Sequence, residues 1–591
     1  MLFYKILSFF FSSIFALVWA HNDQSSGLIT YHVVGLLEKS QMMAVEVDGA
    51  ISMLMLNSSN TILYSGSAPI ACKGYRYVKI TETHNNIPEP FLRPPTYTDT
   101  VNEFFNRTWN KKEITQFPTV YEPLPAIHRA QSGLHKEGEI PTIHIIANQA
   151  DLDLMHHRSN EDIDINANMT YVSLVDQLFF ENVTLSISGH GSRWMPKVSY
   201  NIKLRHTDRL YGYKRIKLRP MANDPSYIRE KLAYDMIKSV GLLSSEYSYV
   251  RIFMNDKEIG LFGLIEAFQN PWTANVFAFG QKDYKTGNLY QGFGHSPTML
   301  YSNLSYMSNL SAYGDGQYVI RAGVKGDYKS LQKLTEFIAN APVHGHDAVT
   351  IWKSKLDVDS FLRSMALEVL NAYYDGYLND NHNYYLYDNP ETGAFFYIPA
   401  DLDSTFGFSV SDLHPMITGN YSTFPGMYTQ PLMAKILRVP ELKEQFEETI
   451  DQIHRRLVNP HVTFKRIDDL VNMLKEDVAW DQMVPRMGTI IPSMLDMYNI
   501  SYTNGRVPPD IDIRPLINMI LSQRDNVLIR PFVRMIPKDP GDYERALDYV
   551  ELVLKGVPFL QAVNGPTGYK VCIGVKEFIQ KISRNIDKYN I

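Results

Sequence analysis

The sequence predicts an α+β protein, a two-lobed body preceded by a smaller β module. Three observations point there. Strand-like segments crowd the first half, helical periodicity dominates the second, and 591 residues are too many for one ordinary core. Hydrophobic residues make up 45% and charged residues 20%, a globular composition that is neither disordered nor collagen-like. With 57 basic residues against 63 acidic ones the net charge is −6, so no basic field for nucleic acid exists. Two cysteines build neither a disulfide scaffold nor a finger-type zinc site.

Taken in order, residues 1–20 read as a secretory signal. Lys5 supplies the positive end, Ile6 to Leu17 are almost wholly apolar, and Val18-Trp19-Ala20 places small residues for cleavage after Ala20. The apolar run is short for a retained membrane anchor. Sequons at Asn57, Asn106, Asn168, Asn182, Asn303, Asn309, Asn420 and Asn499 fit the same compartment. The expectation is a secreted glycoprotein, extracellular or loosely held at a spore or cell surface. Cys72 and Cys572 would tie the N-terminal region to the tail if oxidised; two free thiols are the alternative.

Residues 21–90 read as a β-sandwich-like module, because TYHVVGLL, MMAVEVDG and YRYVKITE are strand-like runs separated by turn residues. Residues 91–140 are proline-rich and irregular, a linker or strap. The main domain is expected over 141–535. Within it TIHIIA, ENVTLSISG, SYNIKLR and YKRIKLRP read as strands, and SYIREKLAYDMIKSVG as an amphipathic helix ended by Gly241. YSYVRIFMNDKEIGLFGLIEA is a hairpin turning at Asn255-Asp256-Lys257, and YYLYDNPETGAFFYIPADLD a second one turning at 389–393. Helices are expected over 328–341, 358–374 and from 430 to about 530. The tail, 536–591, is helical, with Phe578, Ile579, Ile582 and Ile586 at helical spacing. No hydrophobic tail follows a small-residue site, so neither a GPI anchor nor a transmembrane span is expected.

The densest polar constellation is Asp375-Gly-Tyr-Leu-Asn379-Asp380-Asn381-His382-Asn383 with Asp401-Leu-Asp403. The two segments flank one hairpin and can meet at its open end. Hard oxygen donors of this kind suit Mg²⁺ or Mn²⁺. An EF-hand loop from Asp401 fails, since its sixth and twelfth positions are Phe406 and Asp412. A solvated acidic turn is the bland alternative. Upstream, Gly189 and Gly191 sit in a turn between strands, with Lys197 and Lys203 nearby, where backbone N–H groups could approach phosphate. Arg229 and Glu230 follow on a helix, where Glu230 could orient a phosphate-binding lysine or simply face solvent. His344-Gly-His346-Asp347 reads as a surface loop. Neither G-x-S-x-G nor H-E-x-x-H occurs.

At GHGSRWMPKVSYNIKLR, IKLRPMANDPSYIREKLAYDMIKSVG, YVRIFMNDKEIGLFGLIE, DGYLNDNHNYYLYDNPETG and IPADLDSTFG, over roughly 140–490, the sequence resembles the spore-coat protein H (CotH) kinase-like family. The N-terminal module makes it most similar to the CotH proteins of mucoralean fungi. The resemblance implies an atypical protein-kinase-like fold and transfer of the ATP γ-phosphate to Ser/Thr of spore-coat or extracellular proteins. It implies Asp375 as the catalytic carboxylate, Asn383, Asp401 and Asp403 as metal ligands, Lys203 or else Lys217 as the nucleotide lysine, and Glu230 as its partner. The ordinary kinase motifs G-x-G-x-x-G, V-A-I-K, H-R-D and D-F-G are absent. A non-catalytic adhesin that binds a host receptor through the same scaffold is the other function this family allows.

Overall fold

The computed structural model describes residues 27–82, 86–189, 191–293, 302–410, 412–522 and 540–589. The expected signal peptide, and His190 of the glycine turn, lie outside the described residues. The fold is mixed α+β and separates into two compact units, Met1–Asn110 with Thr170–Gln177, and Lys111–Met169 with Leu178–Ile591.

The first unit is a seven-stranded sheet of β1 (Leu28–Val34), β2 (Gln41–Val47), β3 (Ala50–Leu56), β4 (Leu63–Pro69), β5 (Tyr75–Thr81), β6 (Ile87–Pro88) and β7 (Glu103–Phe104), in the order β6-β5-β2-β3-β4-β1-β7. Alternation fixes its face: Tyr31 and Val33 of β1 are fully buried beside Met43, Val45 and Tyr77. The β2–β3 turn is Asp48-Gly49, both at positive φ (50° and 94°), the backbone a two-residue hairpin demands. Buried Arg93 pairs with Glu89 at 2.7 Å and Glu103 at 3.1 Å, and Glu103 also accepts from the Tyr75 and Tyr77 hydroxyls.

Apart from residues 170–172 and 177, the second unit holds a closed barrel of β8 (Thr142–Ala147), β9 (Asp164–Val172), β10 (Gln177–Ser188), β11 (Ser199–Lys203), β12 (Arg215–Arg219), β13 (Tyr247–Met254) and β14 (Lys257–Glu266), closing in the order β10-β11-β12-β14-β13-β8-β9. The β13–β14 hairpin turns at Asn255, φ 50°, as its sequence requires. Beyond it comes a four-stranded antiparallel sheet, β16-β15-β17-β18, of β15 (Leu289–Gly292), β16 (Tyr318–Ala322), β17 (Tyr384–Asp388) and β18 (Phe395–Pro399). The helices that matter below are α1 (Arg229–Ser239), α2 (Val358–Leu370), α3 (Tyr377–Asp380), α4 (Pro460–Met483) and α5 (Val575–Asp587).

Ion pairs fasten α4 to the barrel. Asp477 takes both arms of Arg251 at 2.6 and 2.8 Å. Asp481, fully buried, accepts from Lys197 Nζ (2.6 Å), Tyr227 Oη (2.7 Å), the Leu261 N–H (2.8 Å) and Arg486 Nη2 (3.1 Å). Lys197, expected beside a phosphate turn, is therefore spent on structure. The tail helix α5 buries Phe578, Ile579, Ile582 and Ile586 along one stripe, the face its spacing predicts. Cys72 is exposed and Cys572 buried, and both are free thiols. Among the described residues no helix is long and apolar enough to cross a membrane.

Candidate active site

The site begins with alternation on β12. Ile216 and Leu218 are buried in the barrel, so Lys217 and Arg219 share the opposite face. Helix α1 starts ten residues later in chain order, after a loop in which Asp224 accepts from the Ser226 and Arg229 N–H groups. That start puts Glu230 in the first turn, where a carboxylate also suits the helix dipole. Glu230 is 3% exposed and meets Arg219 Nε at 2.9 Å. Neighbouring Arg229 is fully buried on Asp224 and the Ile573 carbonyl. Neither Arg229 nor Glu230 faces solvent.

The second wall comes from the segment between α2 and β18. Glu368, buried near the end of α2, accepts from the Leu378 N–H at 2.6 Å and anchors the turn that presents Asp375. A Cβ at residue 376 would lie 2.6 Å from the Glu368 carboxylate, which is why glycine stands there. Asn381, Asn383 and Asp401 all take left-handed backbone, φ 60°, 59° and 58°, a conformation Asn and Asp tolerate better than other side chains. The Ala400 N–H donates to the Asn383 carbonyl at 3.0 Å, bringing the two ends of the β17–β18 hairpin together. Asp375, Asn383 and Asp401 consequently line one small open pocket, with Glu368 and Thr405.

Charge is concentrated here. Arg219 Nη2 bonds Asp401 Oδ1 and stands 3.6 Å from Asp403 Oδ2. Burial would raise the Asp401 pKa, but the Arg219 guanidinium and Lys217 outweigh it and hold the carboxyl at about 2. Burial pushes Asp403 up to about 6 and Glu230 up to about 7, with Arg219 opposing both. Asp375 is pushed well above the ordinary range, first by burial, then by Asp403 and Asp401 against the pull of His382. Burial also disfavours charge on His382, yet the Asp380 carboxylate 3.1 Å away and Asp375 at 4.0 Å push it up to about 9. Burial and Arg219 lower Lys217, although Asp401 attracts it.

The structure thus brings together Asp375, Asn383, Asp401, Asp403, Glu230 and Lys217. Lys203 lies exposed at the end of β11, paired in register with Arg215 and Thr184. Glu230 is paired with Arg219, not with either lysine. Gly189, φ 88°, and Gly191 sit at the β10–β11 turn, where Ser192 fills the space a Cβ at 189 would need, and the pocket takes none of its lining from that turn. His344 and His346 lie on an exposed loop. Arg219 is the residue sequence reasoning missed. Its signal was present: a cation two positions from Lys217 on a strand whose alternate residues are apolar.

Among the described residues no three His, Cys, Asp or Glu side chains gather closely enough to cage a metal by themselves. Two converging carboxylates with an amide beside them fit the other arrangement, in which Mg²⁺ or Mn²⁺ keeps waters and is completed by substrate phosphates. The pair is open enough for that, Asp401 being 38% and Asp403 21% exposed at the side chain.

Comparison with known proteins gives the family. The family described as CotH kinase protein matches residues 185–484, about half of the chain and the part that holds every residue of the pocket. The chain belongs to this family. It is 26% identical over 453 residues to Invasin CotH3 of Rhizopus delemar, covering 74% of this chain and 73% of that one. Spore coat protein homolog 1 of the same organism is 22% identical over 74% of this chain and 71% of its own. Inner spore coat protein H of Bacillus subtilis is 27% identical over 277 residues, 46% of this chain and 70% of that one.

Proposed function

We propose that the chain is a secreted, two-lobed, kinase-like phosphotransferase that moves the ATP γ-phosphate to Ser/Thr of spore-coat or extracellular proteins. The observation that carries this reading is the pocket lined by Asp375, Asn383 and Asp401, with Asp401 and Asp403 both reached by one arm of Arg219, which is itself held on Glu230. Asp375 would orient the attacking hydroxyl and accept its proton. Asp401, Asp403 and Asn383 would hold Mg²⁺ or Mn²⁺, which when bound neutralises charge on the transferred phosphoryl group. Glu230 fixes Arg219, and Lys217 adds a second cation facing the same carboxylates. The reading is tested by transfer of label from γ-labelled ATP with Mn²⁺, using protein secreted from eukaryotic cells. Label should appear on the protein itself or on coat extract and vanish in an Asp401→Ala, Asp403→Ala double variant; equal labelling by both would place the chemistry elsewhere.

The names of the Rhizopus relatives favour a second reading, a surface or coat adhesin that binds a host receptor through the same scaffold. It requires no carboxylate at 375, 401 or 403. Adhesion unchanged in the double variant, with no label transfer by either protein, would support it over the first.

A further inference from the structure

Arg219 makes three contacts that no single structural role needs. Its Nε is held on Glu230 at 2.9 Å, while Nη2 alone reaches Asp401 Oδ1 and, at 3.6 Å, Asp403 Oδ2. One nitrogen thus stands where carboxylate oxygens from both aspartates converge. A hard divalent cation that used both as ligands, at roughly 2.0–2.2 Å, would have to take nearly that same place. A guanidinium arm and a metal ion cannot share it, because both are positive and would occupy the same point. The arm is also placed to be released: Nε stays anchored on the buried Glu230, and the Asp401 and Asp403 side chains are partly exposed.

We propose that Arg219 is an internal counter-ion for Asp401 and Asp403, exchanged for the divalent metal on loading and thereby freed, on its Glu230 pivot, to contact the phosphates. This rests on the metal reading of the site given above. Exchange has two consequences of opposite sign. In the absence of nucleotide Arg219 competes with metal, so only the fraction of molecules with the arm swung away binds it. In the presence of nucleotide the released guanidinium adds a charge-assisted contact. A residue that merely stabilised the fold would weaken both kinds of binding on removal.

The experiment is Mn²⁺ binding by calorimetry and by the EPR signal of free Mn²⁺, then binding of a non-hydrolysable ATP analogue at saturating Mn²⁺. Wild type is compared with Arg219→Met, Arg219→Gln and Arg219→Lys, each first checked for an unchanged melting profile. Arg219→Lys preserves the charge but lacks a second donor arm, so it cannot span Glu230 and Asp401 together, and it keeps the test open if the neutral variants misfold. The expected result is Mn²⁺ binding about tenfold tighter in the two neutral variants than in wild type and of intermediate affinity in Arg219→Lys, with nucleotide binding weaker in all three. Mn²⁺ affinity that is equal or weaker in every folded variant, with wild type binding Mn²⁺ normally, overturns the exchange and leaves the metal site standing. No Mn²⁺ binding by wild type or any variant overturns the metal reading and the exchange with it.

Discussion

Glu368 shows how a single buried group shapes the site without touching the outside. It is 1% exposed and holds the turn under Asp375 by accepting from the Leu378 N–H. Burial pushes its pKa up to about 8, with Asp375 adding to the rise. The folded protein therefore keeps the Glu368 proton up to about pH 8, while the unfolded chain gives it up near its ordinary value of 4.5. Stability is full below that ordinary value and declines as pH rises towards 8, by about 1.4 kcal/mol for each unit of pKa difference. Glu368→Gln keeps the acceptor oxygen and cannot ionise. Its melting temperature should fall less than that of wild type between pH 5 and pH 8; parallel slopes would mean that Glu368 is ionised in the folded protein. Residues of this kind are illegible in sequence. A glutamate in SFLRSMALEVLNAYYD looks like an ordinary polar helix position, whereas Asp375, Asn383, Asp401 and Asp403 stand out because polar residues of one kind cluster on both sides of a hairpin.

At the scale of elements, patterns that depend on period alone were readable and charges that face inward were not. The Asn255 turn, the 229–239 helix and the amphipathic α5 follow from turn chemistry and apolar spacing. Helix α4 also reads as a helix, but Asp477 and Asp481 sit on the side that packs against the barrel, against the rule that charge marks the solvent face. Their burial is tolerable only because Arg251, Lys197, Tyr227 and Arg486 meet them. Arg219 was overlooked for the same reason, since the cations of YKRIKLRP look like one exposed strand face while Arg219 is 8% exposed. Asp481→Ala should leave Lys197 and Arg486 as uncompensated buried charges and cost about 3–5 kcal/mol in denaturant unfolding. A loss below about 1 kcal/mol, the scale of a surface pair, would show that the Asp481 cluster contributes little to holding α4.

For the molecule as a whole, the chain belongs to the CotH kinase protein family, and the proposed secretory route rests on the leader-like first twenty residues and the sequons. None of the eight sequon asparagines is buried, and Asn57, Asn106, Asn182, Asn309 and Asn499 are exposed. Protein secreted from a eukaryotic host should begin at His21 and lose mass on enzymatic deglycosylation. Mass spectrometry that finds residues 1–20 retained would contradict the secretory reading. In the proposed function, Asp375 is the residue on which transfer depends. Asp375→Asn keeps the volume of the side chain and removes the proton acceptor, leaving Arg219, Lys217, Asp401 and Asp403 in place. With wild type and this variant side by side, binding of a non-hydrolysable ATP analogue should be retained. Transfer from γ-labelled ATP should fall by about two to four orders of magnitude. Equal, non-zero transfer by the two proteins would remove Asp375 from the chemistry, and no transfer by either would contradict the kinase assignment itself.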